Sequence, residues 1–336
     1  MRKLLLFTPL LLLLLMIASA SAQSLPTGTV NYQNITIGSW SGASTQYVQQ
    51  NVTLNESNYT SYGLIYNSNQ ANFEFTYGNG NIIPAWIESN NSGILTIWLN
   101  ITNSTTNVYL DIFNSTTNTL SSSGTNGIGE APTLSSSYAE YDDGASVFNN
   151  YWNFSRPGLP GGWSASNQNY IVSNGLSVTA APSASAGYVG YQTTTQIPFI
   201  EDAYITSWAQ AGGCNWGMVV WGGGDSLNNP FNTYHAQLGD NNGCYGGQWQ
   251  LQVTGAPYDD ISAPNTGINS WYFTNPTTYF YENYVLDAFL SGGAAPSSLV
   301  IGGQVQNGAS GTTKVQWIRI RAYPPNGVMP SYSFYA

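Results

Sequence analysis

The fold class follows from two stretches, ILTIWLNI at residues 94–101 and VYLDIF at residues 108–113. Both are rich in β-branched and aromatic side chains, and a short polar segment of Asn, Ser and Thr separates them. Such runs are typical of β-strands, and the polar segment between them is typical of a turn. We therefore predict two strands here, joined as a β-hairpin.

The same pattern continues along the 336-residue chain. The stretch QWQLQV at residues 248–253 alternates polar and apolar side chains, which predicts a strand with one face towards a core. Turn sequences rich in Gly and Asn recur, as in GNGN at 78–81 and NNG at 241–243. Many short strands between such turns predict an all-β protein made of β-sandwiches or jelly rolls.

The N-terminus has the order of a secretory signal peptide. Arg2 and Lys3 precede an apolar run at residues 4–18, and small residues up to Ala22 fit a cleavage site. The apolar run is short for a membrane-spanning helix, so we favour cleavage over a retained anchor. We predict a signal peptide at residues 1–22, a secreted mature protein at the cell surface, and no further membrane span.

Charge is scarce in the mature chain. Charged residues make up 7% of the sequence, and after cleavage four basic residues face 16 acidic ones. Those four are Arg156, Lys314, Arg319 and Arg321. A nucleic-acid partner is excluded, because binding would need a basic face. The 14% of aromatic residues predicts packed cores rather than disorder.

Nine Asn-X-Ser/Thr sequons lie in the first half of the chain, and none follows Asn153. They begin at Asn34, Asn51, Asn55, Asn58, Asn90, Asn100, Asn103, Asn114 and Asn153. A sequon is used only in an exported chain and on an exposed surface. About six would arise by chance in so polar a composition. We predict a glycosylated first half and a second half kept clear for contact.

The chain has two cysteines, Cys214 and Cys244, and one histidine, His235. An even pair of cysteines in an exported protein predicts a structural disulfide. A single histidine leaves no partner for a zinc site of ordinary composition.

A domain boundary is predicted near Asp143. A Ser/Thr/Gly-rich stretch at residues 120–137 precedes it, and eight of the eleven Trp lie from Trp152 onward. We predict an N-terminal β-sandwich domain at 23–146 and a larger domain at 147–336.

Short motifs in both parts resemble exported archaeal and bacterial surface proteins. In the first part, PAWIE at 84–88 and LTIWL at 95–99 resemble a β-sandwich domain of unknown function, whose W-I-E strand precedes a W-V-type strand. In the second, YDDG at 141–144, VSNGL at 172–176 and the closing VQWIRIRAYPP at 315–325 resemble a concanavalin A-like, laminin-G-like domain. The resemblance implies a concanavalin A-like jelly roll but no activity, because that fold hosts lectins, adhesion modules and glycosidases.

Catalytic residues are not apparent. Glycoside hydrolysis needs two carboxyl groups across the scissile bond, and concanavalin-like glycosidases resemble one another in carrying Glu-x-Asp-x-x-Glu on one strand. The sequence has no such run, and adjacent Glu201 and Asp202 are expected to point to opposite faces of a strand. His235 has no nucleophile-elbow sequence beside it. We therefore expect no catalysis and no required cofactor.

Candidate ligand-binding residues lie on the Gly-rich loops near the cysteines. Sugar rings stack on aromatic side chains, and amides read their hydroxyls. These criteria select Trp216, Trp221, Tyr245, Asn215 and Asn242 near the cysteines as a glycan site. Trp271 is a further candidate, in a separate aromatic cluster at residues 271–273 and 279–284. Burial of the aromatic rings in a core is the alternative. Asp225 and Asp240 are candidate calcium ligands, because hard cations prefer oxygen donors on such loops.

The leading hypothesis is a non-catalytic surface protein whose jelly roll binds glycans or other surface proteins. A second is self-assembly as a subunit of a filament or surface lattice, with the strand at residues 27–37 pairing with an open sheet edge of the next subunit. A third is an atypical glycoside hydrolase.

Overall fold

The structure, a computed structural model, describes residues 23–335 apart from 42–45, 68, 167–168, 181–182, 194, 212–219, 225–234, 241–248, 254–258, 262–264, 292–295 and 306–309. Within these ranges the prediction of an all-β protein is confirmed: strands dominate, and helical structure is limited to short turns. None of the described helices has the length and apolar character that crossing a membrane requires.

The first sandwich contains the strands up to residue 130. They are β1 (Thr29–Ile37), β2 (Tyr47–Asn55), β3 (Tyr66–Asn67), β4 (Gln70–Ala71), β5 (Phe73–Thr76), β6 (Ala85–Asn91), β7 (Ile94–Thr102), β8 (Asn107–Phe113) and β9 (Ile128–Glu130). Two 3₁₀ turns, Glu56–Asn58 and Thr60–Tyr62, follow β2. One sheet has the order β2-β7-β6-β9, and β1, β8 and β5 form the other.

The predicted hairpin of residues 94–113 is wrong. Both strands form, but β7 pairs with β2 and β6, whereas β8 pairs with β1 and β5 in the opposite sheet. Ile97 of β7 and Leu110 of β8 are fully buried in the same core. The polar segment between them therefore crosses from one sheet to the other, because each strand buries its apolar face against the opposite sheet.

The second sandwich follows a short helix α1 (Gly144–Val147). Its strands are β10 (Asn150–Trp152), β11 (Trp163–Ser166), β12 (Asn169–Val172), β13 (Leu176–Ala180), β14 (Ser183–Gln192), β15 (Phe199–Ala211), β16 (Val220–Gly224), β17 (His235–Asp240), β18 (Trp249–Val253), β19 (Asp259–Ile261), β20 (Gly267–Phe273), β21 (Thr277–Glu282), β22 (Val285–Ser291), β23 (Ser298–Val305) and β24 (Ser310–Ala322). β18 confirms the strand predicted from QWQLQV.

These strands form two antiparallel sheets, the arrangement of a concanavalin A-like jelly roll. One has the order β12-β13-β24-β15-β20-β21-β22, with β10 also paired to β24. The other has the order β11-β14-β23-β16-β17-β18-β19. The chain passes repeatedly between the sheets, and their inner faces enclose a core that includes Trp271 and Ile301. The predicted fold class of two β-sandwiches is confirmed.

The chain returns to the first sandwich at its end. After a 3₁₀ turn at Pro325–Gly327, strand β25 (Tyr332–Tyr335) pairs with β1, and Phe334 packs on the first core. The predicted domain of 147–336 therefore extends too far, because these last residues belong to the first sheet. The self-assembly hypothesis needs this N-terminal strand to pair with an open sheet edge of the next subunit, but β1 already lies between β25 and β8 in its own sheet.

The two sandwiches share a third core of aromatic and aliphatic side chains. Trp86 and Trp98 come from the first sandwich, Phe148 from the connection, and Trp317 from β24 of the second. The Trp86 ring lies edge-on to Trp317, with centroids 5.5 Å apart, and edge-on to Phe148 at 5.3 Å. Edge-to-face packing of buried rings stabilises this interface beyond the area it removes from water.

Candidate functional site

Most of the residues predicted to bind ligands lie outside the described residues. These are Asn215, Trp216, Asn242 and Tyr245, the calcium candidate Asp225, and the cysteines Cys214 and Cys244. Trp221 and Asp240 are placed on β16 and β17 by their backbone alone. The glycan site on these loops, the calcium site and the disulfide therefore stay predictions.

Trp271 is described, and its prediction as an exposed glycan-binding residue is wrong. Its side chain on β20 is 0% exposed, with its ring centroid 5.0 Å from that of Phe280. Alternation along β20 directs Trp271 into the jelly-roll core. A ring with no exposed face cannot stack on a sugar.

The nine sequon residues differ in accessibility. Asn58 and Asn114 are exposed, and Asn34, Asn51, Asn55, Asn90, Asn100 and Asn153 are half-buried. The Nδ2 atom that would carry a glycan donates to Ser146 O in Asn100 (3.0 Å) and to Asp142 Oδ2 in Asn153 (2.7 Å). Asn103 is only 6% exposed, so a glycan there is incompatible with the fold. This corrects the prediction for Asn103.

A cleft of about 550 Å³ lies between the two sandwiches. Both sandwiches contribute polar side chains to it. The first provides Glu88, Ser89, Asn91 and Thr96, and the second provides Tyr204, Thr206, Asn283, Tyr284 and Gln316. Most of this lining is hydroxyl, amide or phenol, which suits a neutral polar ligand.

The outer face of β15 and the turn between β21 and β22 position the cleft's aromatic side chains. Alternation on β15 sends Ala203 into the jelly-roll core and Tyr204 outward to the interface. Asn283 and Tyr284 form the turn with φ of 47° and 67°, a left-handed conformation that a two-residue hairpin requires. The backbone N–H of Asn283 donates to Ile268 O (2.7 Å), and the backbone N–H of Ile268 donates to the side-chain Oδ1 of Asn283 (3.0 Å). These two bonds fix the turn against β20.

Tyr284 spans the interface. A left-handed backbone is costly for tyrosine, so the surrounding contacts must hold it. Its hydroxyl donates to Glu88 Oε2 (2.6 Å) and accepts from Arg319 Nη2 (2.7 Å). Burial of this hydroxyl raises the pKa of Tyr284 well above its usual range. The residue as a whole remains 37% exposed, so part of its surface faces the cleft.

A buried charge network lies behind the cleft. Arg319 forms ion pairs with Glu88 and Asp202, both at 2.7 Å, and Arg321 forms a third with Asp202, also at 2.7 Å. Burial alone would raise the pKa of Asp202, but the two guanidinium groups outweigh it and lower the pKa to about 2. Glu88 Oε2 also accepts from Trp98 Nε1 (2.8 Å). Two cations and two carboxylates leave the network without net charge.

Aromatic rings surround the guanidinium of Arg319. Its Cζ lies 4.5 Å from the ring centroid of Phe148, 4.6 Å from that of Trp98 and 4.8 Å from that of Trp317. Planar, weakly hydrated arginine suits such a site better than lysine does. The network therefore fixes the cleft wall rather than offering a mobile cation to a ligand.

The described cleft lacks the groups that hydrolysis requires. Among its described lining residues Glu88 is the one carboxylate, and it is bound to Arg319. Glu201 faces the jelly-roll side of β15, paired with Trp271, and Asp202 faces the interface, so the predicted opposite orientation is confirmed. The described ranges also hold no cluster of three His, Cys, Asp or Glu suited to a metal ion.

This cleft could not be predicted from the sequence motifs. Glu88 lies within the W-I-E motif and Arg319 within the closing strand, but neither motif indicates a binding role. One signal was present: two of the few basic residues, Arg319 and Arg321, share a strand face with Trp317. A tryptophan on the same face as two arginines indicates a polar face that another layer covers.

Comparison with known proteins identifies fold similarity only. No protein-family model matches the chain, and no curated protein matches it. A legume lectin-like domain from Entamoeba histolytica is similar over 47% of this chain and 89% of its own, at 12% identity and a TM-score of 0.35. The Emp47p carbohydrate recognition domain matches over 50% and 92%, at 10% identity and 0.35. A Bacillus licheniformis beta-glucanase matches over 52% and 97%, at 12% identity and 0.35. At such values no activity transfers to this chain.

Proposed function

We propose that this protein is a non-catalytic extracellular protein that binds carbohydrate in the cleft between its two sandwiches. The observation that carries this proposal is the cleft lining, in which Tyr204 and Tyr284 lie among the amides of Asn91, Asn283 and Gln316. Aromatic surfaces accept the C–H faces of a pyranose ring, and amides donate to and accept from its hydroxyls. Glycans displayed at a cell surface are the partners we infer.

Binding is favoured over hydrolysis because the Glu88 carboxylate at the cleft is already hydrogen-bonded to other residues of the protein. Glu88 Oε2 receives hydrogen bonds from Trp98, Tyr284 and Arg319. A general acid or base must have its carboxyl oxygen available to the substrate, whereas this oxygen is occupied by three donors of the protein itself. Export is supported by the signal-like residues 1–22 and by the two exposed sequons at Asn58 and Asn114.

A glycan array probed with the mature chain, residues 23–336, tests the proposal. We expect binding to a defined group of glycans, with Asn91→Ala and Tyr204→Ala each weakening it at least tenfold. Tyr47→Ala is the matched control, because Tyr47 is 59% exposed on β2 and lies outside the cleft. Melting curves of all variants establish that they are folded.

Three results would overturn the proposal. Absence of binding to every glycan would remove carbohydrate recognition altogether. Binding that survives Tyr204→Ala but is lost in Trp216→Ala would move the site from the cleft to the loops predicted from the sequence. Release of reducing sugar from a bound glycan would make the protein a hydrolase.

A further inference from the structure

A second cleft, of about 430 Å³, lies on the first sandwich where β1, β2 and β25 meet. It shares no lining residue with the cleft between the sandwiches. Four aromatic side chains line it: Tyr59, Tyr62, Tyr332 and Phe334. So high a share of aromatic rings at an open site indicates a ligand with flat apolar faces.

Tyr62 is the most exposed of these rings, Tyr332 and Phe334 are partly buried, and Tyr59 is buried. Tyr62 is 49% exposed, whereas Tyr59 is 6% exposed. The Tyr59 centroid lies 6.4 Å from that of Tyr62 and 6.4 Å from that of Phe334. Tyr59 therefore packs between the exposed ring and the end of the chain, and it holds Tyr62 in place.

Hydrogen bonds fix Tyr59, which is buried, and Tyr332, which is partly buried. The Tyr59 hydroxyl donates to Gln33 Oε1 (2.5 Å), and Thr53 N donates to the Tyr332 hydroxyl (2.8 Å). Burial also raises the pKa of Tyr59 to about 12, so the phenol stays neutral. The described lining contains no charged side chain, so the cleft suits a neutral ligand with hydroxyl groups rather than an ion.

Two sequon residues lie on the rim of the same cleft. Asn55 and Asn58 both line it, and Asn58 is exposed. Asn55 Oδ1 accepts from Ser57 N (3.0 Å) and Ser57 Oγ (2.8 Å), which turns the start of the 3₁₀ segment towards the rings. A glycan attached at Asn58 would begin within reach of Tyr62, at a high effective concentration that no free sugar matches.

We propose that this cleft seats a neutral pyranose ring against Tyr62, and that the N-linked glycan on Asn58 supplies it. An external glycan carries the same chemistry, so the experiment needs one arm for each source. The proposal concerns the first sandwich alone and does not depend on the cleft between the sandwiches.

The first arm uses the full mature chain from a glycosylating host, with Asn58 occupancy measured by glycopeptide mass spectrometry. We expect Tyr62→Ala to lower the melting temperature by about 2–4 °C, the shift typical of one lost contact in a domain of this size. In an Asn58→Gln background Tyr62→Ala should lower the melting temperature much less, because the sugar that contacts Tyr62 is already absent. Asn114→Gln, which removes an exposed sequon that does not line this cleft, should leave the effect of Tyr62→Ala unchanged.

The second arm uses the chain from a host without N-glycosylation. Methyl glycosides of glucose, mannose and N-acetylglucosamine are added, and saturation-transfer NMR detects contact with the protein. Signal lost in Tyr62→Ala and kept in Tyr47→Ala would identify an external glycan as the source. If the effect of Tyr62→Ala depends on Asn58 in the first arm and no glycoside contacts the protein in the second, the Asn58 glycan is the source. If Tyr62→Ala changes neither measurement, or Asn58 is unoccupied and no glycoside binds, the proposal is overturned.

Discussion

Arg319 and Glu88 form an ion pair that joins the two sandwiches. Nη2 of Arg319 lies 2.7 Å from Oε2 of Glu88, with the two side chains 0% and 3% exposed. A buried pair contributes only when its remaining hydrogen-bonding groups are satisfied. Here Asp202 pairs with Nε and the Tyr284 hydroxyl accepts from Nη2, whereas Nη1 has no hydrogen-bond partner and the guanidinium lies among aromatic rings. The pair therefore joins the two sandwiches with one donor left unsatisfied.

Asp202→Asn should be strongly destabilising. It would leave Arg319 and Arg321 adjacent and buried with only Glu88 to balance them. Breaking a buried pair in this way costs about 3–5 kcal/mol. Chemical denaturation measures the loss, and Glu140→Gln, at an exposed carboxylate, should cost much less, because exposed charged contacts contribute little to stability. Equal stabilities of the two variants would show that the network contributes nothing.

Tyr284→Phe should lower stability while preserving the ring in the cleft. The variant removes one hydroxyl that bonds both Glu88 and Arg319, which leaves a buried donor and acceptor less satisfied. The expected cost is about 1–3 kcal/mol in the free energy of unfolding. Tyr170→Phe, at a tyrosine 39% exposed on β12, is the matched control. A Tyr284→Phe protein as stable as wild type would contradict the role given to this hydroxyl.

Stability should fall as pH rises from about 4 to 7. Glu74 and Asp111 are direct cross-strand partners on β5 and β8, and burial raises the pKa of Glu74 to about 7 and that of Asp111 to about 6. The folded protein therefore holds protons that the unfolded chain has released in this range. The stabilisation is complete below the unfolded pKa values and is lost through the folded ones. Asp202, with its lowered pKa of about 2, acts in the opposite sense and only below about pH 4.

Measuring the melting temperature across this pH range tests whether stability falls as pH rises. Glu74→Gln should flatten the decline and raise the melting temperature at pH 7 relative to wild type. Glu140→Gln, at an exposed carboxylate, is the control: a hydrogen bond from Ser136 lowers the pKa of Glu140, so this variant should leave the decline between about pH 5 and 7 unchanged. Parallel profiles for wild type and Glu74→Gln would refute the assignment.

Truncation after Pro330 should destabilise the first sandwich, although the cut lies at the far end of the sequence. It removes β25, the hydrogen bonds of β1 from Asn34 to Ile37, and the packing of Phe334. Because Phe334 is only partly buried, the loss of its packing should cost less than the roughly 3 kcal/mol of a fully buried aromatic ring. Hydrogen exchange should show reduced protection in β1, whereas Tyr335→Ala, at a side chain 56% exposed, should not. Unchanged protection in β1 would mean that β25 does not pair there.

Glycan occupancy should follow the exposure of the sequons. When the chain is exported from a glycosylating host, the exposed Asn58 and Asn114 should be modified, whereas the buried Asn103 should carry no glycan in the folded protein. Glycopeptide mass spectrometry measures each site. A fully occupied Asn103 in a protein with a native melting curve would contradict its burial.

The sequence predicted strands well because alternation is a local property. It did not predict which strands pair: residues 94–102 and 107–113 read as a hairpin, but the turn chemistry between them also serves a crossing between sheets. Pairing depends on where the apolar faces meet, which is a property of the whole sandwich.

Residues 317–321 show why the candidate site could not be predicted from the sequence. Ile318 and Ile320 face the jelly-roll core, and Arg319 and Arg321 share the opposite face with Trp317. Taken alone, arginines alternating with isoleucines indicate a solvent-exposed outer face. Here the first sandwich covers that face, and nothing within the strand specifies the partner. The role of Tyr284 could not be predicted either, because it depends on a hairpin turn that meets a strand far away in the sequence.

The place of β25 in the first sheet has a consequence for biosynthesis. A chain emerging from the ribosome or an export channel exposes β1 first and its partner Tyr332–Tyr335 last. Until the whole jelly roll has been made, the outer edge of β1 lacks this partner, and a bare strand edge is a site of wrong association. The first sheet can therefore be completed only after β25 has been synthesised. A prematurely terminated chain leaves β1 without this partner strand.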